Sequence, residues 1–119
     1  MSNIHLFPWH INDEGGLLLR REMGIQAILR RNSRYQASPN KVIINWGCSQ
    51  LPPHCRGSQI INSDRAVAIS VNKLRTFQAL DGKCNHVPWT TDRGVATRWL
   101  LEGHKVVCRE QLEGRAGRG

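Results

Sequence analysis

Apolar residues along this chain occur in short runs separated by glycine, proline and polar turns, a pattern typical of alternating strands and helices. The clearest strand is 42–46, Val-Ile-Ile-Asn-Trp, which is β-branched and nearly continuous in apolar character. A strand without alternating polarity is covered on both faces, as in parallel sheets flanked by helices. Shorter apolar runs predict further strands at 3–10, or an extended arm there, and at 25–29. The pattern therefore predicts an α/β fold with a small parallel-type sheet.

Helices are predicted from composition, capping residues and apolar spacing. They cover 17–23, after a break at Gly15-Gly16, and then 63–71, 72–80 and 91–101, the last of them capped by Thr91 or Asp92. Gly24 follows the first of them, where a helix often ends on a left-handed residue. The proline- and glycine-containing stretch 48–62 is predicted to be a loop, and 105–110 a further strand.

The length of 119 residues allows one domain, or one domain and a fragment of a second. We place the boundary after residue 62, giving an α/β domain over 1–62 and a second portion over 63–119. No segment reaches the roughly 20 continuous apolar residues that a membrane span needs. Residues 1–10 lack a basic region followed by an apolar run, so no signal peptide is predicted. We expect a cytoplasmic chain without a membrane partner.

The formal net charge of +8 is concentrated in two arginine clusters. The first comprises Arg20, Arg21, Arg30, Arg31 and Arg34, and the second Arg109, Arg115 and Arg118. A basic balance of this size favours a polyanionic partner, such as a nucleotide, a nucleic acid or an acidic protein face. The alternative for the first cluster is a solvated, solubilising surface.

The four cysteines, Cys48, Cys55, Cys84 and Cys108, include no pair with the spacing of a zinc knuckle. We expect reduced thiols, with Cys108 as a small core side chain because it follows two valines. The alternative is a mixed metal site drawn from Cys48, His54, Cys55, Cys84 and His86.

The C-terminal segment carries glycines at 114, 117 and 119 among basic residues. Gly114, Gly117 and Gly119 let backbone N–H groups approach an anion closely, while Arg115 and Arg118 add positive charge. A frayed, flexible end is the alternative. The segment is not a Walker loop, because no Gly-Lys-Ser/Thr follows, and it is not a Rossmann fingerprint.

The order of these segments resembles the first subdomain of the ATP-grasp superfamily. The matching segments are Asn72-Lys73-Leu74 through Leu80, Val87-Pro88-Trp89-Thr90-Thr91, the helix ending in Trp99-Leu100, Val106-Val107-Cys108-Arg109, and Gly114 to Gly119. The upstream stretches 31–35 and 42–47 resemble the pre-ATP-grasp domain of phage-encoded members. The resemblance covers nearly the whole chain, and its specificity lies in the order of the motifs.

This resemblance implies a role for several residues. Lys73 would be the first lysine that reaches the nucleotide phosphates, and Arg109 would take the place of a lysine beside the α-phosphate and adenine. Gly114, Arg115, Gly117 and Gly119 would belong to the glycine-rich flap over the triphosphate. From the residues alone, the alternatives are a solvent-facing helix lysine for Lys73 and a strand-end surface arginine for Arg109.

The end of the buried strand would face the second substrate in this resemblance. We place Asn45 there as a weak candidate for substrate contact, and we expect Trp46 to be a core residue beside a turn glycine, Gly47.

ATP-grasp enzymes join a carboxylate, activated as an acyl phosphate, to an amine, with ATP and Mg²⁺. Their Mg²⁺ ligands lie in a later subdomain, which we expect to lie outside these 119 residues. The sequence thus predicts the N-terminal portion of an ATP-grasp-like ligase, nucleotide-binding but not catalytic by itself. The alternatives are a phage structural or protein-interaction component, in the virion or host cytoplasm, and a basic nucleic-acid-associated protein.

Overall fold

The structure of the chain is a computed structural model that describes residues 3–28 and 34–113. It divides into two compact units, with the boundary after Ala68. The domain boundary expected from the sequence lies six residues earlier, after residue 62.

The first unit contains a four-stranded, fully parallel sheet. Its strands are β1 (Ile4–Pro8), β2 (Gln26–Ala27), β3 (Val42–Trp46) and β4 (Gln59–Ile61). Their order across the sheet is β2-β1-β3-β4. The α/β class and the parallel sheet predicted from the sequence are therefore confirmed for this unit.

The longest pairing in the sheet joins its two central strands. β1 and β3 run in register from Ile4 opposite Val42 to Pro8 opposite Trp46. The ladder continues one step further, because the Trp9 amide N donates to the Trp46 carbonyl O at 3.0 Å. The two central strands thus leave the sheet side by side.

Both faces of the central strands are covered, as the apolar run at 42–46 predicts. Leu6 and Phe7 point to opposite faces of β1, yet they are 0% and 1% exposed. Leu6 lies on the side of helix α1 (Glu14–Met23), close to Gly16. The main buried cluster contains Phe7, Ile28, Ile43, Cys48, Leu51 and Cys55.

Helix α1 begins earlier than the sequence pattern predicts. The two glycines expected to break the chain, Gly15 and Gly16, form part of its first turn, because Asp13 caps the helix by accepting from the Gly16 N–H. The helix ends as predicted on Gly24, whose φ of 63° lies in the left-handed region.

The stretch 48–62, predicted to be a loop, contains regular structure, so that prediction is wrong in part. A 3₁₀ turn covers Pro53–Cys55, and the edge strand β4 follows it. Ile60 and Ile61 lie in this strand. Three residues are too few for a sequence pattern to distinguish a strand from a loop.

Three helices follow β4, as predicted. They are α2 (Asp64–Val71), which contains the boundary between the units, α3 (Lys73–Leu80) and α4 (Arg93–Leu101). The Asn72 and Asp92 side chains cap α3 and α4 by accepting backbone N–H groups of the first turn. None of the helices in the described residues is both long and apolar enough to cross a membrane.

The predicted strand at 105–110 is wrong. This stretch has no regular structure, and Val107 and Cys108 are exposed, so Cys108 is not a core residue either. An isolated antiparallel bridge between Asn72 and Glu113 is the pairing found near this stretch. A β-branched run forms a strand only beside a partner, and no strand lies in the described part of the second unit.

Removing the Ile43 side chain tests the buried face of the central strand. We expect Ile43→Ala to lower the free energy of unfolding by about 2–5 kcal/mol, because Ile43 is fully buried. The matched control is Ile61→Ala on the edge strand, where the side chain is 52% exposed and the loss should be far smaller. Equal losses in urea unfolding of the two variants would contradict this core.

Candidate functional site

The sheet of the first unit has a topological switch point between the carboxyl ends of β1 and β3. β2 and β3 flank β1 on opposite sides, so the direction of strand addition reverses there. Ligands of open α/β sheets bind outside the carboxyl ends of the strands at such a switch point. Three residues lie at this switch point: Trp9 follows β1, Trp46 ends β3, and Gly47, whose φ is 82°, follows it.

Asp13 lies at the centre of this edge and links three elements. Its Oδ2 accepts from the Gly16 N–H and from the Trp46 indole Nε1, each at 2.8 Å. Its Oδ1 accepts from the Trp9 indole Nε1 at 3.4 Å. The Gly16 N–H, and then the indole donors of Trp46 and Trp9 and the charge of His10, lower the pKa of Asp13 from its usual 3.8, against the opposing effect of desolvation. Asp13 is therefore an anion at neutral pH.

Trp46 is not the core residue that the sequence analysis expects. Its indole lies over the first turn of α1, where a Cβ at Gly15 would stand 3.2 Å from the ring atom Cζ2. The side chain is 37% exposed, and that of Trp9 is 45% exposed. The two glycines thus make room for an indole at the surface, and the hydrogen bond to Asp13 holds it there.

Asn45, the weak candidate for substrate contact, is 1% exposed. Its Nδ2 donates to the Cys48 carbonyl O at 2.8 Å, and its Oδ1 accepts from the Cys48 N–H at 2.9 Å. Both ends of the amide therefore hold the turn that follows β3. A substrate contact by Asn45 stays a prediction.

In the second unit, Lys73 is the first residue of α3 and lies beside the last described segment. Its backbone N donates to the Leu112 carbonyl O at 2.9 Å. The neighbouring Asn72 pairs with Glu113 and donates from Nδ2 to the Glu113 Oε1 at 3.4 Å. The residues immediately before Gly114 therefore lie against the first turn of α3.

The side chains of Lys73 and Arg109 form no ion pair among the described residues. The Lys73 Nζ donates to the Ser70 carbonyl O at 3.4 Å, and Arg109 is exposed. The remaining predicted nucleotide contacts, Gly114, Arg115, Gly117 and Gly119, lie outside the described residues.

The first arginine cluster is described only in part. Arg30 and Arg31 lie outside the described residues. Arg20 is half-buried, and the Arg21 Nη2 forms an ion pair with the Glu22 Oε1 at 3.0 Å, whereas Arg34 is exposed. The positive charge of α1 is therefore partly compensated within the helix itself.

The alternative of a mixed metal site has no support in the described residues, which contain no group of three His, Cys, Asp or Glu side chains able to hold a metal ion. Cys48 and Cys55 are buried and Cys84 is exposed, and none of the three forms a disulfide bond with a described cysteine. His86 instead lies 3.3 Å from Asp81, between Nε2 and Oδ1.

Sequence reasoning missed Trp9, Asp13 and the role of Gly15-Gly16. An aspartate directly before a helix is a capping signal, and this one was available in the sequence. What it did not reveal is that the same carboxylate also accepts from Trp46, 33 positions away.

The lowered pKa of Asp13 predicts a pH-dependent stability. A carboxyl whose pKa is lower in the folded state stabilises the fold above its unfolded value of 3.8, and this contribution is lost as pH falls through the folded pKa. We expect the difference in free energy of unfolding between wild type and Asp13→Asn to be constant between about pH 7 and 5 and to shrink below about pH 4. A difference unchanged at about pH 3 would contradict the assignment.

The Asn45 amide gives a second stability prediction. Replacing Asn45 by Ala removes two buried hydrogen bonds to the Cys48 backbone, and we expect a loss of about 1–3 kcal/mol in urea unfolding. Asn40→Ala, at an exposed turn before β3, is the control and should change stability little. A neutral Asn45→Ala would argue against a structural role and favour contact with a ligand.

Comparison with known proteins gives no relative for this chain: no family model, no curated protein and no solved structure matches it.

Proposed function

We propose that this chain is the nucleotide-binding N-terminal portion of an ATP-grasp-like carboxylate–amine ligase and does not catalyse ligation by itself. One observation carries the proposal. The Leu112 carbonyl accepts from the Lys73 backbone N–H, and Glu113 pairs with Asn72. Leu112 and Glu113 therefore lie beside the first turn of α3, whose Lys73 the ATP-grasp resemblance assigns to the phosphates, and the glycine-rich segment follows them in the sequence.

The charges of this region suit a polyphosphate. Lys73 and Arg109 both lie within the last 50 residues, and neither side chain forms an ion pair with an acidic residue in the described part of the chain. Lys73 also stands in the first turn of α3, where the helix dipole favours negative charge. A phosphate placed near Lys73 would gain a charge-assisted hydrogen bond in exchange for a long one to the Ser70 carbonyl.

The role of each group follows from its chemistry. The Lys73 ammonium is a compact charge suited to one phosphate oxygen, whereas the Arg109 guanidinium offers several donors in a planar fork. The backbone N–H groups after Glu113 would supply further donors. Mg²⁺ neutralises triphosphate charge in phosphoryl transfer, but the described residues offer no three-ligand group for it. The proposal therefore assigns these residues to binding and orientation of the nucleotide.

A second candidate function is a protein-interaction component, and it rests on the exposed apolar side chains of the second unit. Val87 is 68% exposed, Leu100 56%, Leu101 84% and Val107 82%. Leu100 and Leu101 are adjacent at the end of α4, and adjoining exposed apolar residues are the kind of surface that another protein segment covers. This candidate and the nucleotide-binding proposal do not exclude one another.

Substitution of the two proposed phosphate contacts tests the function. We expect ATP to bind the wild-type chain measurably in isothermal titration calorimetry, and we expect Lys73→Ala and Arg109→Ala each to weaken it by about tenfold, the effect of one lost charge-assisted hydrogen bond. Titrations with and without Mg²⁺ separate the protein's contribution from that of the metal ion.

Two substitutions remove the same charges elsewhere in the second unit and serve as controls. The control variants are Lys83→Ala and Arg98→Ala. Lys83 lies in the turn after α3, and Arg98 lies on the exposed side of α4. Both should bind ATP as the wild type does. Equal weakening in all four variants would indicate attraction to net charge alone, and binding of DNA with steep salt dependence would then favour the nucleic-acid alternative.

A further inference from the structure

The part of the carboxyl edge that β1, β3 and the start of α1 form is acidic within a strongly basic chain. The segments 8–16 and 45–48, which form this edge around β1, β3 and the start of α1, contain Asp13 and Glu14 but no lysine or arginine. The chain as a whole carries 17 lysines and arginines against nine acidic residues. The local charge is thus opposite to that of the protein, and the neighbouring α1 residues Arg20 and Arg21 lie at the far end of the helix.

Two large aromatic surfaces border the same carboxylate. The indoles of Trp9 and Trp46 both donate through Nε1 to Asp13, which brings the two rings to one side chain, while the residues stay 45% and 37% exposed and the Trp9 ring lies 5.7 Å from that of His10. The hydrophobic effect alone would favour burying these two indole rings away from water. Their exposure is instead maintained by the room that Gly15 leaves for Trp46 and by the hydrogen bonds to Asp13.

We propose that Trp9, Trp46 and Asp13 form a binding site for an organic cation, a ligand that carries a primary or quaternary ammonium group. An ammonium group is attracted to the face of an indole within about 6 Å of its centre. Asp13 supplies the counter-charge, and its lowered pKa keeps it ionised at neutral pH. The site lies where open parallel sheets bind ligands, at the strand-order reversal between β1 and β3.

The chemistry of the site discriminates against other ligand classes. An anion would meet the charges of Asp13 and Glu14, and these segments contain no lysine or arginine, with His10 as their one basic side chain. A neutral ring could stack on the indoles, but it would gain nothing from the carboxylate. This proposal does not depend on nucleotide binding in the second unit, because it rests on residues of the first unit alone.

The test uses tetramethylammonium chloride as the cation and monitors the indole N–H resonances of the ¹⁵N-labelled chain. The chain has four tryptophans, of which Trp89 and Trp99 lie in the second unit and act as internal controls. We expect saturable shifts of the Trp9 and Trp46 resonances in the millimolar range, without matching shifts of the other two. Sodium chloride at equal ionic strength and tert-butanol, a neutral ligand of similar shape, should not reproduce them.

Variants test the source of the affinity. We expect Asp13→Asn and Trp9→Leu each to weaken binding by about fivefold or more. Glu22→Gln removes one carboxylate from the same helix and should leave the affinity unchanged. Shifts of all four indoles, equal binding of the neutral analogue, or no saturable shift in the wild-type chain would each overturn the proposal. The wild-type comparison needs no variant, so it decides the matter even if Asp13→Asn fails to fold.

Discussion

The parallel pairing of β1 with β3 is the interaction on which the first unit depends. Its five-residue register buries the side chains of Leu6, Phe7 and Ile43 and brings the ends of both strands to one edge. Because the Trp9 amide continues the ladder onto the Trp46 carbonyl, two indoles leave the sheet as neighbours. Asp13 then joins both indoles to the start of α1. Core packing and the geometry of the candidate cation site thus follow from one strand pair.

Features that arise from local chemistry could be predicted from the sequence. The apolar run at 42–46 indicated a strand covered on both faces, and the parallel sheet confirms it. Gly24 marked the end of α1 because only a residue that tolerates positive φ fits there. Asp92 was recognised, with Thr91, as a cap for α4, since a short polar side chain can accept the free N–H groups of a first turn.

Features that depend on distant partners could not be predicted. The run at 105–110 has the composition of a strand, but the described part of its unit contains no strand with which it could pair. Trp46 lies at the surface because the Asp13 carboxylate, 33 positions away, accepts its indole N–H. In each case the deciding contact is one that sequence spacing does not encode.

The proposed nucleotide site rests on the contact between Lys73 and the segment before Gly114. The most direct test is to follow backbone amide resonances of the ¹⁵N-labelled chain during titration with ATP. The account predicts that the amides of Lys73 and Glu113 shift together and saturably, while that of Ile43, in the core of the other unit, stays unchanged. Absence of a saturable shift at Lys73 and Glu113, or shifts confined to the arginines of α1, would contradict it.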